Sequence, residues 1–212
     1  MKLRVTGMKL LVAVFVILLN TVTVSAAGSN ATSTITAVID KAAPPFKFVI
    51  KGSVAEGDVE AINVVAPSGA KIQTIPFPQD AQEPDGSLKL LEFMDINFDG
   101  YHDLLLLVGY GTIGEVYEAW VYEPKRKRFV KSNIHEGLPN PSVDSKQRIL
   151  TTVSSMGCCD TTTSHYRYLN GRFDMFMEER TYIEKKREVT VVKKKIDGKW
   201  KVVKKSYGDR VD

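Results

Sequence analysis

The sequence predicts an all-β, single-domain, sandwich-like fold of about eight to ten short strands, and three observations carry that prediction. Apolar residues recur at every second position over short stretches, as they do where one face of a strand is buried. Gly, Pro, Asn and Asp interrupt these stretches about every eight to twelve residues, in combinations that make turns. No apolar stripe keeps a helical period beyond about three turns, and residues 137–141 (GLPNP) argue against a helix in the middle of the chain. No internal repeat is visible, which argues against a propeller.

The amino-terminal end bounds the compartment. Lys2, Arg4 and Lys9 make a basic start, residues 10–19 (LLVAVFVILL) are uninterrupted apolar, and Val24-Ser25-Ala26 offers a small-residue exit. That order reads as a signal peptide over residues 1–26. An apolar run of about ten residues is half of what a spanning helix needs. Nothing later resembles a span, so no membrane span is expected after cleavage, and no Cys stands at the cleavage point to carry a lipid anchor. A periplasmic or secreted destination follows, which argues against nucleic acid as a partner. Residues 27–33 (AGSNATS) read as a short flexible lead, and residues 34–212 as one β domain long enough to bury a core. The leader holds three basic residues and no acidic one, so the formal charge of +4 falls to about +1 without it. Between 184 and 205, ten Lys or Arg face three Asp or Glu, which leaves the rest of the domain acidic.

Residues 34–39 and 46–50 are β-rich and separated by Pro44-Pro45, which no ladder admits. Residues 59–65 and 71–77 flank the turn Pro67-Ser68-Gly69 as a hairpin, and 79–86 form a turn-rich acidic loop. Residues 88–94 and 104–108 are strands on either side of the segment 95–103. Residues 115–123 alternate through Val116, Ala119, Trp120 and Tyr122; a charged turn over 124–128 leads to Phe129-Val130. Residues 149–154, 165–169 and 173–182 continue the pattern, with Asn170-Gly171 as a hairpin turn. Residues 188–192 and 199–204 close the chain as a basic hairpin (184–205) around Asp197-Gly198.

The segment 95–103 places oxygen donors at every second position: Asp95, Asn97, Asp99, Tyr101 and Asp103. Calcium is a hard ion that takes six to eight oxygens, and a tight loop offers them from alternate positions. Asp95, Asn97 and Asp99 would supply side chains, Tyr101 its backbone carbonyl, and Asp103 a direct or water-mediated contact. Gly100 sits where the chain must turn sharply. An EF-hand would also need a Glu at the twelfth position, where Leu106 stands here. The loop therefore joins two strands, and its expected cofactor is a structural calcium.

Residues 91–107 (LEFMDINFDGYHDLLLL) resemble an FG-GAP/VCBS-type β-hairpin calcium motif. The continuation through Tyr117, Ala119-Trp120-Val121-Tyr122, Pro124-Lys125 and Phe129-Val130 sharpens the likeness. Together they are similar to the periplasmic immunity proteins that neutralise peptidoglycan-cleaving effectors of bacterial secretion systems. Those proteins are in turn similar to periplasmic inhibitors of I-type lysozyme. The likeness covers residues 88–180. It implies a calcium-binding β-sandwich domain and a loop that enters the active site of a peptidoglycan hydrolase or lysozyme-like effector. In the lysozyme inhibitors that loop reads Ser-Gly-x-x-Tyr; here Gly114 and Tyr117 match while Ile113 replaces the Ser. Gly111, Gly114, Glu115 and Tyr117 are the partner-binding residues so implied.

Other features are weaker. Cys158 and Cys159 are the only cysteines and adjacent, so they cannot staple distant parts of the fold. A vicinal disulfide, an intermolecular bond or two buried thiols remain open. His102, His135 and His165 are scattered, and Asp174 with Glu178-Glu179 reads as a solvated strand end, so no catalytic constellation is expected. The basic hairpin either guards a sheet edge with Lys or meets an anionic envelope surface or acidic partner. The alternative to a hydrolase inhibitor is a calcium-stabilised envelope or adhesion module that binds carbohydrate or protein.

Overall fold

The structure, a computed structural model, describes residues 22–23, 33–81, 89–157 and 159–210. The leader and lead fall almost wholly outside this range, apart from Ser33 and the pair Val22–Thr23. Among the described residues every regular element is a strand, in three antiparallel sheets. The first sheet is a meander of β1 (Val22–Thr23), β2 (Thr34–Ala37), β3 (Phe46–Ser53), β4 (Asp58–Val65) and β5 (Lys71–Pro76). The second holds β6 (Leu91–Met94), β7 (Asp103–Gly109), β8 (Val116–Glu123), β9 (Arg128–Lys131) and β10 (Leu138–Pro139). In it β10 pairs with the start of β8 and β9 with its end. The third is a meander of β11 (Ser142–Asp144), β12 (Ile149–Ser155), β13 (Thr161–Leu169), β14 (Arg172–Glu184), β15 (Arg187–Ile196) and β16 (Lys199–Arg210). The all-β, sandwich-like class is as expected, but the described residues form sixteen strands where about eight to ten were expected.

Among the strands not expected are the short β10 and β11, and the third layer has its reason in Leu104–Leu107, a run with no alternation. Leu104 and Leu106 pack into one core with Phe46, Phe48, Ile50, Ile62, Val64 and Ile75 of the first sheet. Leu105 and Leu107 pack into a second with Leu150, Phe173 and the half-buried Tyr166 of the third. The second sheet is thus a middle layer, and its central strand is buried on both faces. Its neighbour β8 divides the same way, with Tyr122 in the first core and Tyr117, Ala119 and Val121 in the other. At roughly 2 kcal/mol for each fully buried Leu, this short run contributes to both cores at once.

Side-chain amides fasten the layers edge to edge. Gln73 accepts from Phe129 N and donates to Phe129 O, both at 2.8 Å, joining the first sheet to the second. Asn133 does the same to Phe173, at 2.8 and 3.0 Å, joining the second to the third. Each amide imitates a missing strand residue, satisfying a backbone donor and acceptor that would otherwise be stranded. Beyond the second core, β14–β16 continue as a ribbon whose last strand is exposed on both faces.

Candidate functional site

Two loops flank β7, one at each end. The first is the acidic segment 95–103 between β6 and β7. Asp95 accepts from Asp99 N (3.0 Å) and Gly100 N (2.9 Å) through its two carboxylate oxygens. Asn97 Oδ1 accepts from Asp99 N and its Nδ2 donates to Asp99 Oδ2, while Asp99 Oδ1 accepts from Tyr101 N. Phe98 (φ 63°) and Gly100 (φ 93°) take left-handed conformations; the Gly is needed for the backbone, since a Cβ there would meet nothing.

Asp103 differs from the other three. It is fully buried, with Oδ2 accepting from Ile96 N and Asn97 N and Oδ1 from Tyr122 N. One carboxylate therefore closes the loop and ties it to β8. Desolvation pushes its pKa up to about 7, against the lowering effect of those three N–H donors. His102 reaches away to the first sheet, with Nδ1 2.9 Å from Val38 O. Among the described residues no ready-made cluster of three or more carboxylate, imidazole or thiol groups surrounds one point. The donor chemistry still suits a hard cation: Asp95, Asn97 and Asp99 bring side-chain oxygens to one short loop, beside a buried carboxylate that no Lys or Arg among the described residues neutralises.

The second loop, residues 110–115, joins β7 to β8 at the far end. Gly114 N donates to Gly111 O at 3.0 Å, closing a tight turn. Asn140 organises the rest. Its Oδ1 accepts from Glu115 N (3.1 Å), its Nδ2 donates to Ile113 O (3.1 Å) and Val153 O (2.8 Å), and its own N donates to Glu115 O (2.8 Å). A Cβ at Gly114 would lie 2.0 Å from Asn140 Nδ2, on a backbone at φ 95°, so no other residue fits there. The loop is thus clamped to β12, and its tip of Gly111, Thr112 and Ile113 stands in solvent, Ile113 at 40%.

Tyr117 is not on that tip. It lies inside β8, 1% exposed, among the residues of the second core. Its hydroxyl donates to Glu115, and burial pushes its pKa well above the ordinary phenol range. The expectation that Tyr117 projects into a partner is corrected by this burial: strand alternation turns it inward. Of the residues implied for partner binding, Gly111 and Gly114 stand in the loop and Glu115 at its base. The vicinal pair falls partly outside the described residues, since Cys158 is among those not described; Cys159 is exposed.

Sequence reasoning missed Asn140; the signal available in the sequence was its setting between Pro139 and Pro141, and in the structure it takes a left-handed φ of 42°. It also missed a cleft of about 320 Å³ between the second and third sheets, lined by Glu123, Lys131, Asn133, His135 and Tyr168 among others.

No family model matches the chain, and no curated protein matches it by sequence. Among solved structures, the fold is similar to that of a Xanthomonas type IV secretion system related protein, at 18% identity and a TM-score of 0.56, over 86% of this chain and 93% of that one.

Proposed function

We propose that this is an exported, calcium-binding inhibitor of a peptidoglycan hydrolase, a lysozyme inhibitor or immunity protein, acting by binding rather than catalysis. One observation carries the reading: a short loop with an exposed Gly111-Thr112-Ile113 tip, held rigid by Asn140 at the end of the central sheet. A rigid, narrow loop enters a cleft at little entropic cost. Thr112 has a hydroxyl to donate to a catalytic carboxylate, and Ile113 an apolar surface for a sugar subsite. The likeness to a secretion-system related protein of similar extent agrees with an envelope setting. Asp95, Asn97, Asp99 and the Tyr101 carbonyl would hold the calcium, whose charge would offset the buried Asp103.

The test is peptidoglycan lysis by lysozyme-type hydrolases with and without the protein. Inhibition by the parent and its loss in Thr112→Ala/Ile113→Asp, with an unchanged melting temperature, is the expected result. Absence of inhibition across hydrolase types sinks the proposal. Calcium is tested apart, by a melting temperature that rises with calcium and stops rising in Asp95→Ala. A second reading, carbohydrate recognition, rests on the cleft, where Tyr168 borders Glu123, Lys131 and His135; binding of soluble glycan fragments lost in Tyr168→Ala would favour it.

A further inference from the structure

We propose that the free edge of β16 receives an extended segment of a partner protein, in which acidic and apolar residues alternate, as a seventh strand of the third sheet. β16 is 12 residues long and, among the described residues, pairs only with β15, so a row of backbone donors and acceptors faces outward along its other side. Residues 199–209 are exposed throughout, save the half-exposed Ser206.

The register sorts its side chains into two faces. Trp200, Val202, Lys205 and Tyr207 pair with Lys195, Lys193, Val191 and Val189, with Lys205 lying over the Tyr207 ring, while Lys199, Lys201 and Lys204 pair with Ile196, Lys194 and Val192 on the opposite face. Trp200 (44%), Val202 (60%) and Tyr207 (59%) are large apolar groups left in water. Lys193 and Lys195 are neutralised within the sheet by Glu178 and Asp174. Lys199, Lys201 and Lys204 have no ion pair among the described residues. The edge thus offers unspent positive charge on one side and, on the other, an apolar row whose single lysine, Lys205, lies over the Tyr207 ring, with a backbone row between them.

Three simpler occupants fit less well. A Lys guard against aggregation needs the lysines, but an exposed Trp, Val and Tyr on the same strand undo it. A second copy is opposed by charge: antiparallel self-pairing centred on Val202 sets Lys199 against Lys205, and centred on Val203 sets Lys201 against Lys205, and like charges opposite one another destabilise a ladder. A plain polyanion would answer the lysines and leave the apolar row and the backbone edge unmet. An acidic–apolar strand answers all three features, with main-chain bonds giving affinity and alternate side chains giving selectivity. This surface is independent of the 110–115 loop.

The test uses the purified protein and four probes: a nonapeptide alternating Glu and Val, a block peptide of the same composition, a peptide alternating Lys and Val, and poly-glutamate. The alternating acidic peptide is expected to bind best, to shift the emission of Trp200 to the blue (assigned with Trp200→Phe), and to slow amide exchange in β16. Lys201→Glu/Lys204→Glu is expected to weaken it at least tenfold and to favour the Lys–Val peptide instead. Trp200→Ser provides a second variant and should weaken binding without altering charge. Equal binding of the block peptide or poly-glutamate, unprotected β16 amides, or self-association of the protein through this edge would each overturn the proposal.

Discussion

β7 and β16 are both antiparallel strands, and almost everything else about them is opposite. β7 lies in the middle sheet, with Leu104–Leu107 divided between two cores and its first five residues buried. β16 ends the third sheet, with water on both faces and along one edge. The ladder is common to both, so the difference isolates what burial contributes: β7 is held by apolar packing from two sides, β16 by main-chain bonds and cross-strand neighbours alone. A strand so placed is free to serve as a surface, while one like β7 can only serve as a frame.

The comparison breaks first, if it breaks, at Leu105. Leu105→Ala empties part of the second core and should cost about 3 kcal/mol, lowering the melting temperature by roughly 6–12 °C for a domain of this size. A loss below about 1 kcal/mol would mean that the middle layer is not packed on both faces. Next comes Asp103→Ala, which leaves the N–H groups of Ile96, Asn97 and Tyr122 buried without an acceptor. Roughly 2–3 kcal/mol is expected, read as a lower urea midpoint in calcium-free buffer. Asn140→Ala should cost less, about 1–2 kcal/mol. It would also release the 110–115 loop, so inhibition of a hydrolase should fall by more than the stability does.

This ordering also explains what was legible in the sequence. Strands with one buried face announced themselves, because Phe46, Phe48 and Ile50 alternate with Lys47 and Lys51. The turns at Asn170-Gly171 and Asp197-Gly198 were legible too, since both carry the left-handed pairs that two-residue hairpins demand. The turn at Lys185-Lys186 takes the same conformation with residues that give no such signal. Leu104–Leu107 read as a strand, but a run without alternation does not say how many sheets will cover it, and the third layer was lost there. The acidic loop was visible because its donors alternate within one stretch of nine residues, 95–103. The 110–115 loop was only half visible, since its clamp comes from Asn140, 25 residues on, and Tyr117, which the resemblance implies for partner binding, lies beyond it in β8, where strand parity turns it in.

A smaller effect sits on β13, between the two extremes. His165 is half-buried, its Nδ1 3.0 Å from Thr151 Oγ1, and desolvation lowers its pKa from 6.5, partly opposed by the charge of Glu179. The folded state therefore resists protonation more than the unfolded chain does. Stability is at its full value above about pH 6.5 and is lost as the pH falls through the unfolded and then the folded pKa. Urea midpoints at pH 7.5 and 5 should differ more for the parent than for His165→Gln; the same difference in both would remove His165 as the cause.

The smallest effect is the one that tests β16. Val202→Ala removes two methyl groups that are already 60% exposed, so it should change stability by no more than about 0.5 kcal/mol. The same kind of truncation at Leu105 should cost several times more. If Val202→Ala instead lowers the melting temperature as Leu105→Ala does, then β16 is covered in solution and its edge is already occupied. If it is silent in the melt yet weakens capture of the alternating acidic peptide, the apolar row of β16 serves recognition and contributes nothing to folding. That separation, large at β7 and absent at β16, is what distinguishes a strand that builds the fold from one that the fold presents.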